Sequence, residues 1–308
     1  MKTQQDSPDK IAYVLLIGVG MLIALMLPLS KSAMGLGVSP LAYAFWQALG
    51  GGLLVFLWSA WQVPPWRQAN HTRYAIISGL TAIAIPNSVA FMLVGKLGAG
   101  MTATYYALPA LLTYGLALAA GMEQASRVRT LGLVLGMLGC LWILWPRNTG
   151  LPPGMTIWLA IGLAVPFSLA VGNIYRSLAW PRGASAHQLA YAMLFAAAVC
   201  LAGLLMLRGE LGTLHLPEGT VRYLLCVQCA LTALGYLGYF ELQRRTSPVF
   251  ISQLGYVITL AGLGIGVWIL DEPVRLAVWA GVLIVLLGVF LANRREAKPA
   301  PASISDNR

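Results

Sequence analysis

Leu41-Ala42-Tyr43-Ala44 returns as Leu189-Ala190-Tyr191-Ala192, 148 positions later. Gly132 and Gly139 return as Gly281 and Gly288, and Glu123 returns as Glu272, at a spacing of 149. Lys96, just ahead of one apolar span, corresponds to Arg245, just ahead of another. A single near-constant offset that serves several spans marks an internal repeat. Each half also carries five apolar spans. Five is odd, so the second copy must enter a bilayer upside down relative to the first.

The composition makes lipid the solvent of this chain. Hydrophobic residues are 58% of the 308 and charged residues 10%, with a mean hydropathy of +0.75. A soluble domain carries about 25% charge. Ten stretches approach the roughly 20 helical residues that cross a hydrocarbon core: 11–29, 39–61, 73–95, 99–121, 128–145, 154–176, 186–207, 221–241, 248–270 and 274–292. They lack the alternation of a barrel strand. Their backbone must satisfy its own hydrogen bonds in lipid, so they are read as helices. The expectation is an all-α membrane protein of ten transmembrane helices, built as two inverted five-helix repeats at 11–146 and 154–292, with polar tails at 1–10 and 293–308. The first span follows Lys2 and Lys10 and leads to no small-residue cleavage site, so it reads as a retained helix. Lys and Arg divide 14 to 6 in favour of a cytoplasmic N-terminus, with Arg176 among the 14. That bias places both termini in the cytoplasm of a bacterial inner-membrane protein. The net charge of +10 is then mostly topology. No clustered Lys/Arg with stacking aromatics offers a nucleic-acid surface.

Motifs for catalysis, metals or cofactors are missing. His71, His187 and His215 sit in loops or at span edges, and no HExxH or phosphate-cradling loop occurs. Cys226-Val-Gln-Cys229 has CxxC spacing, but it falls in a lipid-embedded span without a nearby His and reads as packing. An enzyme, a bound metal and a cofactor are therefore not expected. None of the ten acids lies mid-span. Glu123 and Glu272, at matching ends of the fourth and ninth spans, read as structural helix-end acids with Arg127 and Arg275 as nearby partners. Glu241 either faces a cavity or pairs with Arg244 or Arg245. A coupled pump usually shows an ionisable group at depth, so this pattern favours facilitated export or exchange. Basic groups that would hold a phosphate are scarce: Arg176 ends the sixth span, and Lys31 and Lys96 sit at interfaces.

Neutral polar and aromatic residues populate the spans instead. Gln228, Thr232, Tyr236 and Tyr239 share one helix face, as do Gln253 and Tyr256. Such faces either hold a bundle together or line a watery cavity. Taken as a group they favour the cavity, because Asn87 aligns with Tyr236 and Thr104 with Gln253 across the repeat. The expected substrate contacts are Asn87, Phe91, Tyr106, Asn173, Tyr236, Tyr239, Gln253 and Tyr256. Pro86, Pro109 and Pro166 interrupt helices and are expected to shape gates. Trp58, Trp61, Trp142, Trp145, Trp180, Trp268 and Trp279 lie near span ends and read as interfacial anchors. The Gly-rich fifth and tenth spans have almost no polar residues and suit a scaffold or a homodimer surface.

Two segments carry a family resemblance. One runs from Asn87 through Tyr105-Tyr106-Ala107-Leu108-Pro109 to Gly121-Met122-Glu123, Gly132 and Gly139. The other runs from Ser252-Gln253 through Leu270-Asp271-Glu272-Pro273 to Gly281 and Gly288. The chain resembles the EamA type of the drug/metabolite transporter superfamily. The resemblance implies a central cavity lined by helices 1, 3, 4, 6, 8 and 9, and inner-membrane export of small metabolites, amino acids among them, by alternating access. Tyr106 and Pro109 resemble the Tyr-x-x-Pro of aromatic amino-acid exporters, but Leu108 stands where those exporters have Trp. A drug exporter and a non-transporting membrane scaffold are the alternative readings.

Overall fold

The computed structural model describes residues 9–59, 69–145, 153–215 and 218–292. The tails at 1–8 and 293–308, with their expected polar character, and Trp61 lie outside the described residues. Every element among the described residues is helical. The first half forms α1 (Lys10–Gly35), α2 (Pro40–Trp58), α3 (Ala69–Gly79), α4 (Ile85–Leu97), α5 (Ala99–Thr104), α6 (Pro109–Ala119) and α7 (Arg127–Leu144). The second forms α8 (Thr156–Gly162), α9 (Ala164–Leu178), α10 (Ala186–Leu207), α11 (Gly219–Arg245), α12 (Pro248–Ser252), α13 (Leu254–Trp268) and α14 (Leu276–Ala292).

Among the described residues, eight stretches are long and apolar enough to cross a membrane. The fourth and tenth expected spans are not among them. The fourth is interrupted, and α14 is short at 17 residues. Large aliphatic side chains stand bare on the outside, Leu207 at 87% and Leu276 at 85% exposed. Lipid is the solvent that makes this tolerable, and the chain is a multi-pass membrane protein.

The interruptions have local causes. A π turn at Leu80–Ala84 joins α3 to α4 just before Pro86. A 3-10 turn at Tyr105–Ala107 joins α5 to α6 just before Pro109. The break at Leu163 between α8 and α9 precedes Pro166. Proline withholds a backbone N–H and crowds the carbonyl four residues back, so the preceding turn must rearrange. The break at Gln253 has no proline of its own. Its backbone closes instead with tight bonds, Gln253 N to Phe250 O at 3.1 Å and Tyr256 N to Gln253 O at 3.0 Å.

Repeat mates pack on one another, α2 on α10 and α7 on α14, and between the fourth and ninth spans α5 lies on α13. The remaining contacts are exchanged between the halves. α1 lies on α11 and α13, while its mate α9 lies on α4 and α6. α11 and α13 contain the repeat counterparts of α4 and α6, so these contacts are reciprocal. Glycines set the closest approaches. At Gly255 a side chain would collide with the Tyr106 carbonyl, at Gly262 with the Ala103 side chain, and at Gly266 it would stand 3.0 Å from Gly100 Cα. Small residues of this kind let membrane helices touch backbone to backbone.

The fifth and tenth spans use their glycines in the same way. A Cβ on Gly139 would stand 2.8 Å from the Gly281 carbonyl oxygen, and one on Gly288 would stand 2.6 Å from that of Gly132. The glycines of these two spans are therefore used in a contact between the spans within one chain.

The helix-end acids also differ from expectation in their partners. Glu272 pairs with Lys31 of α1 at 2.7 Å rather than with its neighbour Arg275. Its two oxygens also accept the N–H groups of Ala99 and Gly100, at 2.7 and 2.9 Å. The cap residue of α5 is Gly98, at φ +87°. It has no side chain to offer, so the second repeat supplies the anion that the helix N-terminus favours. Glu123, the mate of Glu272, pairs with Arg129 at 3.0 Å, not with Arg127. At the matching helix start, Ser247 caps α12 through Phe250 N.

Gly255→Ala is expected to abolish recovery of monodisperse protein from detergent extracts. Gly18→Ala, where a Cβ meets nothing within 4 Å, is expected to elute like the unaltered protein in size-exclusion chromatography. Glu272→Ala removes two helix-capping bonds and an ion pair, and is expected to lower unfolding stability by about 1–3 kcal/mol, measured by denaturant titration in detergent.

Candidate functional site

Three of the four interruptions, the π turn, the 3-10 turn and the break at Gln253, border one place. A cavity of about 70 Å³ lies among the broken helices. α1 contributes Ile23, Met26 and Leu27, and α2 contributes Gln47. Ala82 of the π turn follows, with Asn87 and Phe91 from α4, Tyr106 from the 3-10 turn and Pro109 from α6. The second repeat adds Leu169, Asn173 and Arg176 from α9, and Tyr236 and Tyr239 from α11. Ile251 and Ser252 from α12, and Leu254, Gly255 and Ile258 from α13, complete the wall.

Six of the eight expected contact residues therefore meet here: Asn87, Phe91, Tyr106, Asn173, Tyr236 and Tyr239. Gln253 and Tyr256 do not line the cavity. Tyr256 turns towards the fifth span, where its hydroxyl would stand 3.2 Å from a Cβ on Gly136. Gln253 sits at the break itself, and its position there is set by the tight turn between α12 and α13. Of the three prolines, Pro109 lines the cavity. Pro86 and Pro166 lie two and three residues beyond their interruptions.

The polar stripe on α11 divides between two roles. Tyr43 donates to Gln228 Oε1 at 3.3 Å, and Thr232 bonds back to the Gln228 carbonyl at 2.7 Å. The first bond joins α2 to α11, and the second is internal to α11. One turn further, Tyr236 and Tyr239 face the cavity. Pro86 has no N–H for the Ala82 carbonyl four residues back, and Tyr236 donates to that oxygen at 3.3 Å. Ser168 of α9 donates to the neighbouring Thr81 carbonyl at 2.9 Å. The π turn is thus held by side chains from two helices of the opposite repeat. At the other end of the wall, Asn87 donates to Gln47 Oε1 at 3.4 Å, and Gln47 donates to the Met26 sulfur at 3.6 Å.

The residue that sequence reasoning set aside is Arg176. It was counted as a cytoplasmic helix-end charge, yet it is fully buried and lines the cavity. Its Nη2 donates to Asn173 Oδ1 and to Tyr239 Oη, both at 2.7 Å, and Tyr239 donates to the same Asn173 oxygen at 2.8 Å. The guanidinium carbon lies 5.3 Å from the Tyr239 ring centroid. Gly172 makes room for it, since a Cβ there would stand 2.7 Å from Nη1. A signal was present: Leu169, Asn173 and Arg176 step by four and three along one helix face.

Glu241 does not reach the cavity. Its carboxylate accepts from Arg244 at 2.9 Å and from Arg245 at 2.6 Å. Cys229 donates to the Trp46 carbonyl at 3.5 Å, and Cys226 is exposed.

A family model matches this architecture twice, over residues 10–145 and 156–294. The chain belongs to the EamA-like transporter family. It is 24% identical over 281 residues to the uncharacterized transporter YvbV of Bacillus subtilis (strain 168), covering 91% of this chain and 90% of that protein. A solved crystal structure shares the fold with a TM-score of 0.62 at 17% identity, over 92% of this chain and 95% of the other.

Proposed function

We propose that the protein is an inner-membrane secondary transporter that exports small organic metabolites by alternating access. In this reading ten helices cross the bilayer as two inverted repeats, with both termini cytoplasmic, and no chemical step is catalysed. The observation that carries it is the cavity at the meeting point of interrupted helices from both halves. Polar atoms at membrane depth are costly unless they serve a pathway, and here they gather around one space lined by both repeats.

The present volume supports a contracted state. Ligand pockets usually hold about 300–1,000 Å³, against about 70 Å³ here, so loading requires the wall to move. The π turn, the 3-10 turn and the breaks at Leu163 and Gln253 are where helices lack regular bonding and bend at least cost. Rocking about the close contact of α5 and α13 would open the space to one side and then to the other. The substrate contacts in this reading are Asn87, Phe91, Tyr106, Asn173, Tyr236 and Tyr239.

Expression in a sensitive host, challenged with toxic metabolite analogues and drugs, is expected to confer resistance to at least one compound class. Tyr106→Ala is expected to remove that resistance at unchanged membrane expression. Resistance that survives the substitution would contradict the placement of the pathway.

A further inference from the structure

Arg176 presents a charge with no partner of opposite sign. The guanidinium is fully buried, and its Nε and Nη1 have no hydrogen-bond partner. Its bonded contacts, Asn173 and Tyr239, are neutral. Among the described residues, the ion pairs of Glu123, Glu241 and Glu272 are all made with other cations. The cavity wall contains no Asp, Glu or second Lys or Arg. A buried cation left this way is expensive for the fold, and cations in membrane helices generally pair or mark a ligand path.

The wall therefore has a net charge of one, and the residue that carries that charge has two buried donors without a partner. We propose that the cavity takes small organic monoanions, with the substrate carboxylate as the missing counter-ion of Arg176. The rest of the substrate would lie against the apolar and aromatic wall formed by Ile23, Leu27, Phe91 and Tyr106. One guanidinium neutralises one carboxylate, whereas a doubly charged phosphate would bring an uncompensated buried charge with it. The absence of an acid in the wall leaves no charged partner for an ammonium, which disfavours cationic drugs and zwitterionic amino acids. This inference rests on the transporter reading and narrows its substrate class.

The test uses four probes that share a phenyl group: phenylpyruvate, phenylalanine, phenethylamine and phenyl phosphate. Binding is read as a shift in the thermal unfolding midpoint of the full chain in detergent, and transport as counterflow in liposomes. Phenylpyruvate is expected to bind at least tenfold more tightly than the other three. Arg176→Gln should weaken its binding at least tenfold, and Arg176→Lys should retain part of it. Without ligand, Arg176→Gln is expected to unfold at a midpoint no lower than that of the unaltered protein, because it removes an uncompensated charge; a purely structural arginine would give a lower one. Asn173→Asp supplies an internal counter-ion and is expected to raise the midpoint while suppressing phenylpyruvate binding.

Equal binding of the ammonium or zwitterion, preference for the phosphate, no binding of phenylpyruvate, or binding unaffected by Arg176→Gln would each overturn the proposal. Arg-dependent binding without counterflow would keep the anion site and refute transport. Counterflow of phenethylamine that ignores Arg176→Gln would keep transport and refute the anion site.

Discussion

The backbone contact between Gly255 and the Tyr106 carbonyl is the constraint on which the rest of the structure depends. These two positions are repeat mates, 149 residues apart, and they touch each other at the helix interruptions. Any side chain at Gly255 would occupy the space of the carbonyl oxygen. The glycine therefore decides that α5 and α13 meet directly, and Gly262 and Gly266 continue the contact along α13. With the two interrupted helices fixed together, the helices that surround them leave a gap on the side of Tyr106, and that gap is the cavity.

The duplicated halves share this scaffold but differ in chemistry. At one helix start a glycine leaves its cap to Glu272, which also binds Lys31 of α1. At the other, Ser247 provides the cap from its own repeat. The cavity is equally uneven. Asn87 on one side is matched by Tyr236 on the other, and Arg176 has no cationic counterpart in the wall. The common backbone supplies two related halves, which in the proposed transport cycle move against each other. The unequal side chains give the space between them a polarity and a charge.

Much of this was legible in the sequence because lipid imposes strong rules. Long apolar runs must be helices, and the glycine spacing in the fifth and tenth spans marked a close contact. What the glycines touch was not legible, because a small-residue face fits an internal neighbour and a second copy equally well; here it meets the repeat mate. Faces were more readable than functions. The stripe on α11 was found by its spacing, but only packing shows that Gln228 joins α11 to α2, and that Thr232 bonds within its own helix, while Tyr236 and Tyr239 line a space. Gln253 was misplaced because the chain turns tightly there, and helical periodicity fails at such a turn. Arg176 was missed because basic residues near span ends normally report topology, and burial is invisible to a charge count.

Alternating access is tested most directly by the reactivity of a cysteine at Asn87 towards a membrane-impermeant thiol reagent. The native cysteines would be replaced first, and the reagent added to vesicles of each orientation in separate reactions. The account predicts labelling from both sides, with a transported substrate changing the ratio between them. Labelling from one side alone, or from neither, in protein that remains folded would contradict it.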